Sequence, residues 1–221
     1  MELNKYIDHT LLKSTATERD IIDLCNDAKK HRFYSVCVNS SYVPLVKQLL
    51  KGTSIKICTV VGFPLGASAT EAKVFEAKQA IEAGAHEIDM VINIGFLKSK
   101  NYVEVFKDIS DVKLAIGRTP LKVTIEISEL SKNDIVKACE ICLDAKANFV
   151  KTSTGFSKSG ATLTAVKIMK KTLKNHAKIK ALGGIDDYET AKKYIDIGVE
   201  RLGTFSGIEI VSNKIINQNM N

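Results

Sequence analysis

Tryptophan is missing from this 221-residue chain, proline occurs three times, and aromatic residues make up only 6%. That leaves little surface for stacking nucleic-acid bases. The 32 basic residues are also scattered among acidic ones and form no block. Nucleic acid is therefore not an expected partner, despite a formal net charge of +7. No apolar run approaches the roughly 18 residues of a membrane helix, so no membrane partner is expected either. The stretch from Met1 to Thr10 has no apolar core of the kind a secretory signal carries, which points to a cytoplasmic location. Five cysteines, an odd number without a signal, read as reduced thiols and not as a disulfide framework. Cys139 and Cys142 have C-x-x-C spacing, but they fall inside an amphipathic segment and have no second such pair. With the four histidines far apart as well, no zinc, other metal or cofactor is expected. A G-x-G-x-x-G fingerprint after the first strand is also lacking, which counts against a doubly wound dinucleotide-binding sheet.

What is present is ordinary for a globular domain: 45% hydrophobic and 26% charged residues, in a length that suits one domain with a substantial core. Strand-like runs are expected at Ile7–Leu11, Ser35–Val38, Ile55–Val61, Glu87–Ile94, Leu121–Ile127, Phe149–Lys151, Lys178–Leu182 and Glu200–Thr204. Helical patterns follow each of them. Thr17 with Asp20, and Ser131 with Asp134, have the form of capping boxes. In the helix after Gly66, Val74, Ala77 and Ile81 line one side, with Glu71, Lys73 and Lys78 largely on the solvent side. A polar tail is expected over 212–221. Eight strand–helix units in one domain predict a (β/α)8 TIM barrel, with a doubly wound open sheet as the alternative.

In such a barrel the chemistry lies at the carboxyl ends of the strands. Lys151 ends an apolar strand and is followed by Thr152, Ser153, Thr154 and Gly155. It is either a lysine that snorkels to water or an amine freed of its proton to act as a nucleophile. Lys180 sits in another apolar strand, just before Gly183 and Gly184, and Asp89 lies in the fourth. A second ammonium about 4 Å away contributes on the order of 4 kcal/mol toward releasing the first one's proton. Asp89 is then either a structural partner of a lysine or a relay of protons to bound water. Asp8 and Thr10 belong to the same rim. Gly155, Gly183, Gly184 and Gly203 fall in loops of the kind that hold a phosphate through backbone N–H groups.

Longer motifs sharpen this reading. I-D-H-T-L-L-K from Ile7, C-T-V-V-G-F-P-L-G from Cys58 and E-I-D-M-V-I-N-I-G from Glu87 recur in order with F-V-K-T-S-T-G-F-S from Phe149 and R-L-G-T-F-S-G from Arg201. Over nearly its whole length the chain resembles the deoxyribose-phosphate aldolases. The resemblance implies a metal-independent class I aldolase that reversibly cleaves 2-deoxy-D-ribose 5-phosphate to D-glyceraldehyde 3-phosphate and acetaldehyde. It implies Lys151 as the Schiff-base lysine and Lys180 and Asp89 as its partners. Asp8, Thr10, Cys37, Thr152 and Thr154 are expected around the substrate, and Ser206 with the rim glycines around its phosphate. Assembly as a dimer or a tetramer is left open. A barrel with another acceptor, or a catalytically silent binding protein, are the rival readings.

Three positions depart from that family's pattern: Leu182 stands where serine is usual, Asp186 where arginine is usual, and Phe205 where serine is usual. Asp186 is expected to turn away and cap the next helix, with Glu189 in capping-box register. Ser206 and Lys158 then remain for the phosphate. The sequence thus predicts intact aldolase chemistry with a weakened phosphate preference.

Overall fold

The computed structural model describes residues 2–218, with side chains through Ser212. β1 (Ile7–Leu11), β2 (Ser35–Val38), β3 (Lys56–Val61) and β4 (Glu87–Val91) are followed by β5 (Leu121–Thr124), β6 (Phe149–Lys151), β7 (Lys178–Leu182) and β8 (Arg201–Thr204). They pair in chain order, all parallel, and β8 returns to β1 to close the expected (β/α)8 barrel. Parallel neighbours need long crossovers. These are α1 (Glu18–His31), α2 (Val43–Leu49), α3 (Thr70–Ala83), the short α4 (Ile94–Lys98) with α5 (Tyr102–Ile116), α6 (Lys132–Asp144), α7 (Leu163–Leu173) and α8 (Tyr188–Asp196). After β8, α9 (Gly207–Gln218) carries the backbone as helix beyond Ser212, and the end of the expected tail lies outside the described residues. Both capping boxes form at the helix starts the sequence marks.

Side chains alternate across each strand, and the alternation sorts the apolar residues into two groups. Val36, Ile88, Met90, Val123, Val150, Ile179 and Leu202 belong to the large cluster between strands and helices. Leu12, Cys37, Cys58 and Val60 form a separate small cluster against Phe63. The register sets Thr10 beside Cys37, Cys37 beside Cys58, Thr124 beside Lys151, Lys151 beside Lys180 and Lys180 beside Arg201.

Three expectations are corrected. β4 ends at Val91, because Asn93 caps α4 by accepting the Phe96 N–H at 3.1 Å. β5 ends at Thr124, because Glu126 turns into the left-handed region at φ 57° and starts a short 3-10 turn. Lys73 is not on a solvent face. It is fully buried, with Nζ donating to the Val91 carbonyl at 2.9 Å and to Asp108 Oδ2 at 2.6 Å. Burial holds Lys73 below the ordinary lysine range and Asp108 above the ordinary carboxyl range, while each partner opposes the other's shift.

Candidate active site

Lys151 and Lys180, neighbours in register, extend to the same atom. Each Nζ lies 3.1 Å from Asp89 Oδ2, and all three side chains are fully buried. Thr124 Oγ1 donates to the other Asp89 oxygen at 3.0 Å and fixes the carboxylate's orientation. Burial alone would push Asp89 up, but the contacts with Lys151 and Lys180 outweigh it and lower Asp89 to about 2. Lys180 also touches Asp8 Oδ2 at 2.8 Å. Burial disfavours its charge, yet Asp8 and Asp89 together hold Lys180 well above the ordinary lysine range. It therefore stays a cation beside Lys151.

Below this layer the sequence reading missed several residues. Asp8 Oδ1 accepts from Ser35 Oγ at 2.6 Å and from Arg201 Nη1 at 2.8 Å. Arg201 lies 3.6 Å from Glu87 Oε2, Glu87 in turn holds Lys122, and Lys122 Nζ is 3.3 Å from Cys58 Sγ. Lys122 carried the same signal as Lys180, a lysine in the middle of an apolar strand. Desolvation opposes charge on it, but nearby anionic groups hold it above the ordinary range. Cys37, Cys58 and Asp89 are the one group of metal-ligating side chains among the described residues, their donor atoms within 4.8 Å of one another. Two lysine side chains already occupy Asp89, one of them the cationic Lys180, an unfavourable setting for a metal cation.

Other expected substrate groups take part in the frame. Thr10 donates to the Asp8 carbonyl at 2.8 Å. Thr152 bridges to β7, accepting the Leu182 N–H at 3.1 Å, and the Thr154 N–H donates to Glu126 Oε2 at 3.1 Å. At the rim, a cavity of about 250 Å³ is lined by Gly155, Gly183, Gly184, Asp186, Gly203 and Phe205 among others. Its floor is a backbone contact: a Cβ at Gly160 would lie 2.3 Å from the Gly183 carbonyl carbon, so the β6 loop can rest on the β7 turn only with glycine at 160. A larger cavity of about 730 Å³ opens at the opposite, amino-terminal end of the strands, beside Tyr34, Phe149 and Arg201. Barrel chemistry does not occur at that end.

A model of DeoC/LacD family aldolases matches residues 3–208. The chain belongs to that family. It is 52% identical over 210 residues to a deoxyribose-phosphate aldolase of Actinobacillus succinogenes, covering 95% of this chain and 94% of the relative. It is likewise 52% identical over 214 residues to deoxyribose-phosphate aldolase 1 of Mesoplasma florum, covering 97% of each. Among solved structures, the tetrameric deoxyribose phosphate aldolase of Aeropyrum pernix superposes with a TM-score of 0.88 at 30% identity, covering 96% of this chain and 90% of that one.

Within this aldolase family fold, the three unusual rim residues are accounted for. Asp186 does not cap α8. Asp187 does, accepting the Thr190 N–H at 2.9 Å, and Asp186 instead accepts the Ser206 hydroxyl at 2.9 Å on the rim. Leu182 packs over Gly155 and Gly203, where an added Cβ would meet its methyl carbons at 3.0 and 2.7 Å. Phe205 is 43% exposed and faces the same glycine, Gly155. Lys158 is drawn away from the cavity by Glu129, at 3.2 Å. Phe156 and Phe63 meet edge-to-face with centroids 5.2 Å apart, and the Phe63 ring lies 6.0 Å from Lys151 Nζ.

Proposed function

We propose that this chain is a class I aldolase that reversibly cleaves 2-deoxy-D-ribose 5-phosphate to D-glyceraldehyde 3-phosphate and acetaldehyde. Lys151 is its imine-forming lysine. The observation that carries the reading is the shared oxygen, Asp89 Oδ2, with a buried amine 3.1 Å away on each side. In the synthetic direction the neutral Lys151 amine adds to the acetaldehyde carbonyl. Lys180, held as a cation, supplies a proton to the departing hydroxyl, and water leaves as the C=N bond forms. A proton is then lost from the methyl carbon. Asp89 is shared with the cationic Lys180, so it acts through a water and Lys180 and not as a lone base. The resulting enamine carbon attacks the aldehyde of glyceraldehyde 3-phosphate, and water hydrolyses the imine to release the sugar phosphate and Lys151. The Gly155, Gly183 and Gly184 N–H groups bind the anionic end of the substrate, in keeping with anion binding by backbone amides at this rim of barrels.

This assignment fits deoxyribose phosphate and nucleoside catabolism in the cytoplasm. No described helix is long and apolar enough to cross a membrane. The tetrameric Aeropyrum pernix relative favours a homo-oligomer. Incubation with acetaldehyde and borohydride followed by peptide mass spectrometry tests the reading. A reduced adduct on Lys151 is expected, and a chain that labels at no lysine is a binding protein instead.

The contact between Asp186 and Ser206 favours a refinement. A carboxylate in the anion-binding rim repels a phosphate dianion and occupies the Ser206 hydroxyl. The expected result is a phosphate preference weaker than in a relative carrying arginine at this position.

A further inference from the structure

The buried ion pairs form one continuous chain across the barrel. Lys151 touches Asp89, Asp89 touches Lys180, Lys180 touches Asp8, and Asp8 touches Arg201. Arg201 faces Glu87, and Glu87 holds Lys122. Four of these seven groups are basic and three are carboxylates. An uncompensated charge in a water-poor interior is costly, so the chain is balanced when one basic group lacks its proton. Arginine does not give its proton up. Lys180 has two carboxylates, and Lys122 holds Glu87 Oε2 at close range, with Arg201 reaching that oxygen only at 3.6 Å. Lys151 stands at the end of the chain and shares its one carboxylate oxygen with Lys180.

Among the described residues, the other elements around Lys151 bring no further cation. β2 and β3 bring the thiols of Cys37 and Cys58, β5 brings Thr124, and the loop after β3 brings the Phe63 ring. The buried Glu126 carboxylate after β5 is turned to the amide and hydroxyl of Thr154. We propose that Arg201, at the far end of the chain and touching no reacting atom, is a positioning residue whose fixed charge keeps the Lys151 amine free for imine formation. The inference rests on the reading of Lys151 as the imine-forming lysine.

The experiment is a pH profile of kcat/KM with unphosphorylated 2-deoxyribose, so that no substrate phosphate titrates. In R201Q three basic groups face three carboxylates, all three lysines hold their protons, and the acid limb moves to higher pH. Arg201 is two strand spacings from Lys151, about 10 Å. At an effective dielectric near 20, that predicts a loss of about tenfold on the acid side, shrinking as the pH rises. R201K keeps the charge and returns the limb toward its original place. If R201Q does not fold, K122M carries the test of the charge count, since it also leaves three basic groups facing three carboxylates and displaces the limb to higher pH.

A uniform loss at every pH in R201Q would overturn the proposal. So would a limb unmoved in R201Q, or one that stays displaced in R201K. Borohydride trapping on the unaltered protein separates the two levels. Absence of an adduct at Lys151 defeats the aldolase reading itself, whereas an adduct with an unmoved limb defeats only the role of Arg201.

Discussion

Ser206 Oγ donates to Asp186 Oδ1 at 2.9 Å, joining the loops after β7 and β8 beside the cavity lined by Gly155, Gly183 and Gly184. This contact sets a carboxylate in the rim proposed to bind the anionic end of the substrate. Its consequences can be measured by substituting either partner.

Replacing Asp186 by arginine and Phe205 by serine is expected to raise the kcat/KM ratio of 2-deoxyribose 5-phosphate to 2-deoxyribose by roughly tenfold or more. Removing one unfavourable charge and adding one favourable charge near a dianion supplies on the order of 1 to 2 kcal/mol even with solvent screening. An unchanged ratio would place the phosphate away from this rim.

Lys151→Arg retains a cation opposite Asp89 but cannot form an imine. A loss in kcat of at least about 1,000-fold is expected, with Tm close to that of the parent. Asp89→Asn should behave differently, losing both activity and stability, because two buried amines lose their shared carboxylate. Parallel thermal melts and turnover assays of the two variants distinguish these effects.

The pair between Lys73 and Asp108 has no part in the chemistry and ties α3 to α5. Lys73→Met alone leaves a buried carboxylate without its cation and should cost about 3 to 5 kcal/mol in urea unfolding. Lys73→Met with Asp108→Leu removes both charges and should recover most of that loss. A double variant no more stable than the single one would show that the pair acts through packing alone.

His9 is packed beside Phe33, with centroids 5.0 Å apart, and its Nδ1 has no partner among the described residues. Burial lowers it from 6.5 to about 4. The neutral ring therefore adds stability that is fully present above pH 6.5 and is lost as the pH falls toward 4, by up to about 3 kcal/mol. An NMR titration should find one of the four imidazoles with a midpoint near 4. A midpoint near 6.5 for His9 would remove this source of acid sensitivity.

The barrel was legible because its strands are short apolar runs separated by helices with clear starts, two of them marked by capping boxes that form as read. Lys151 and Lys180 were legible for a related reason, since a lysine in an apolar strand needs a partner. Lys122 gave the same signal, but its partner Glu87 is 35 residues away on the neighbouring strand and meets it only in the folded barrel. Lys73 was misread because a helical pattern assigns any lysine to solvent, and its partner Asp108 is likewise 35 residues away. Asp186 was misread because two adjacent aspartates both suit a cap. The choice fell to Asp187, whose side chain accepts the Thr190 N–H at the start of α8.

Closure of β8 on β1 has a consequence for how the chain reaches its native state. Asp8 and Arg201 are separated by 193 residues, so one of the first carboxylates synthesised meets its arginine only when the last strand emerges. Until then Asp8 and Glu87 lack their arginine, in a chain whose distant strand pairings already favour slow folding. A fragment ending before Arg201 is expected to remain an expanded intermediate by fluorescence and hydrogen exchange. Final docking of β8 would then be the step that makes the barrel cooperative.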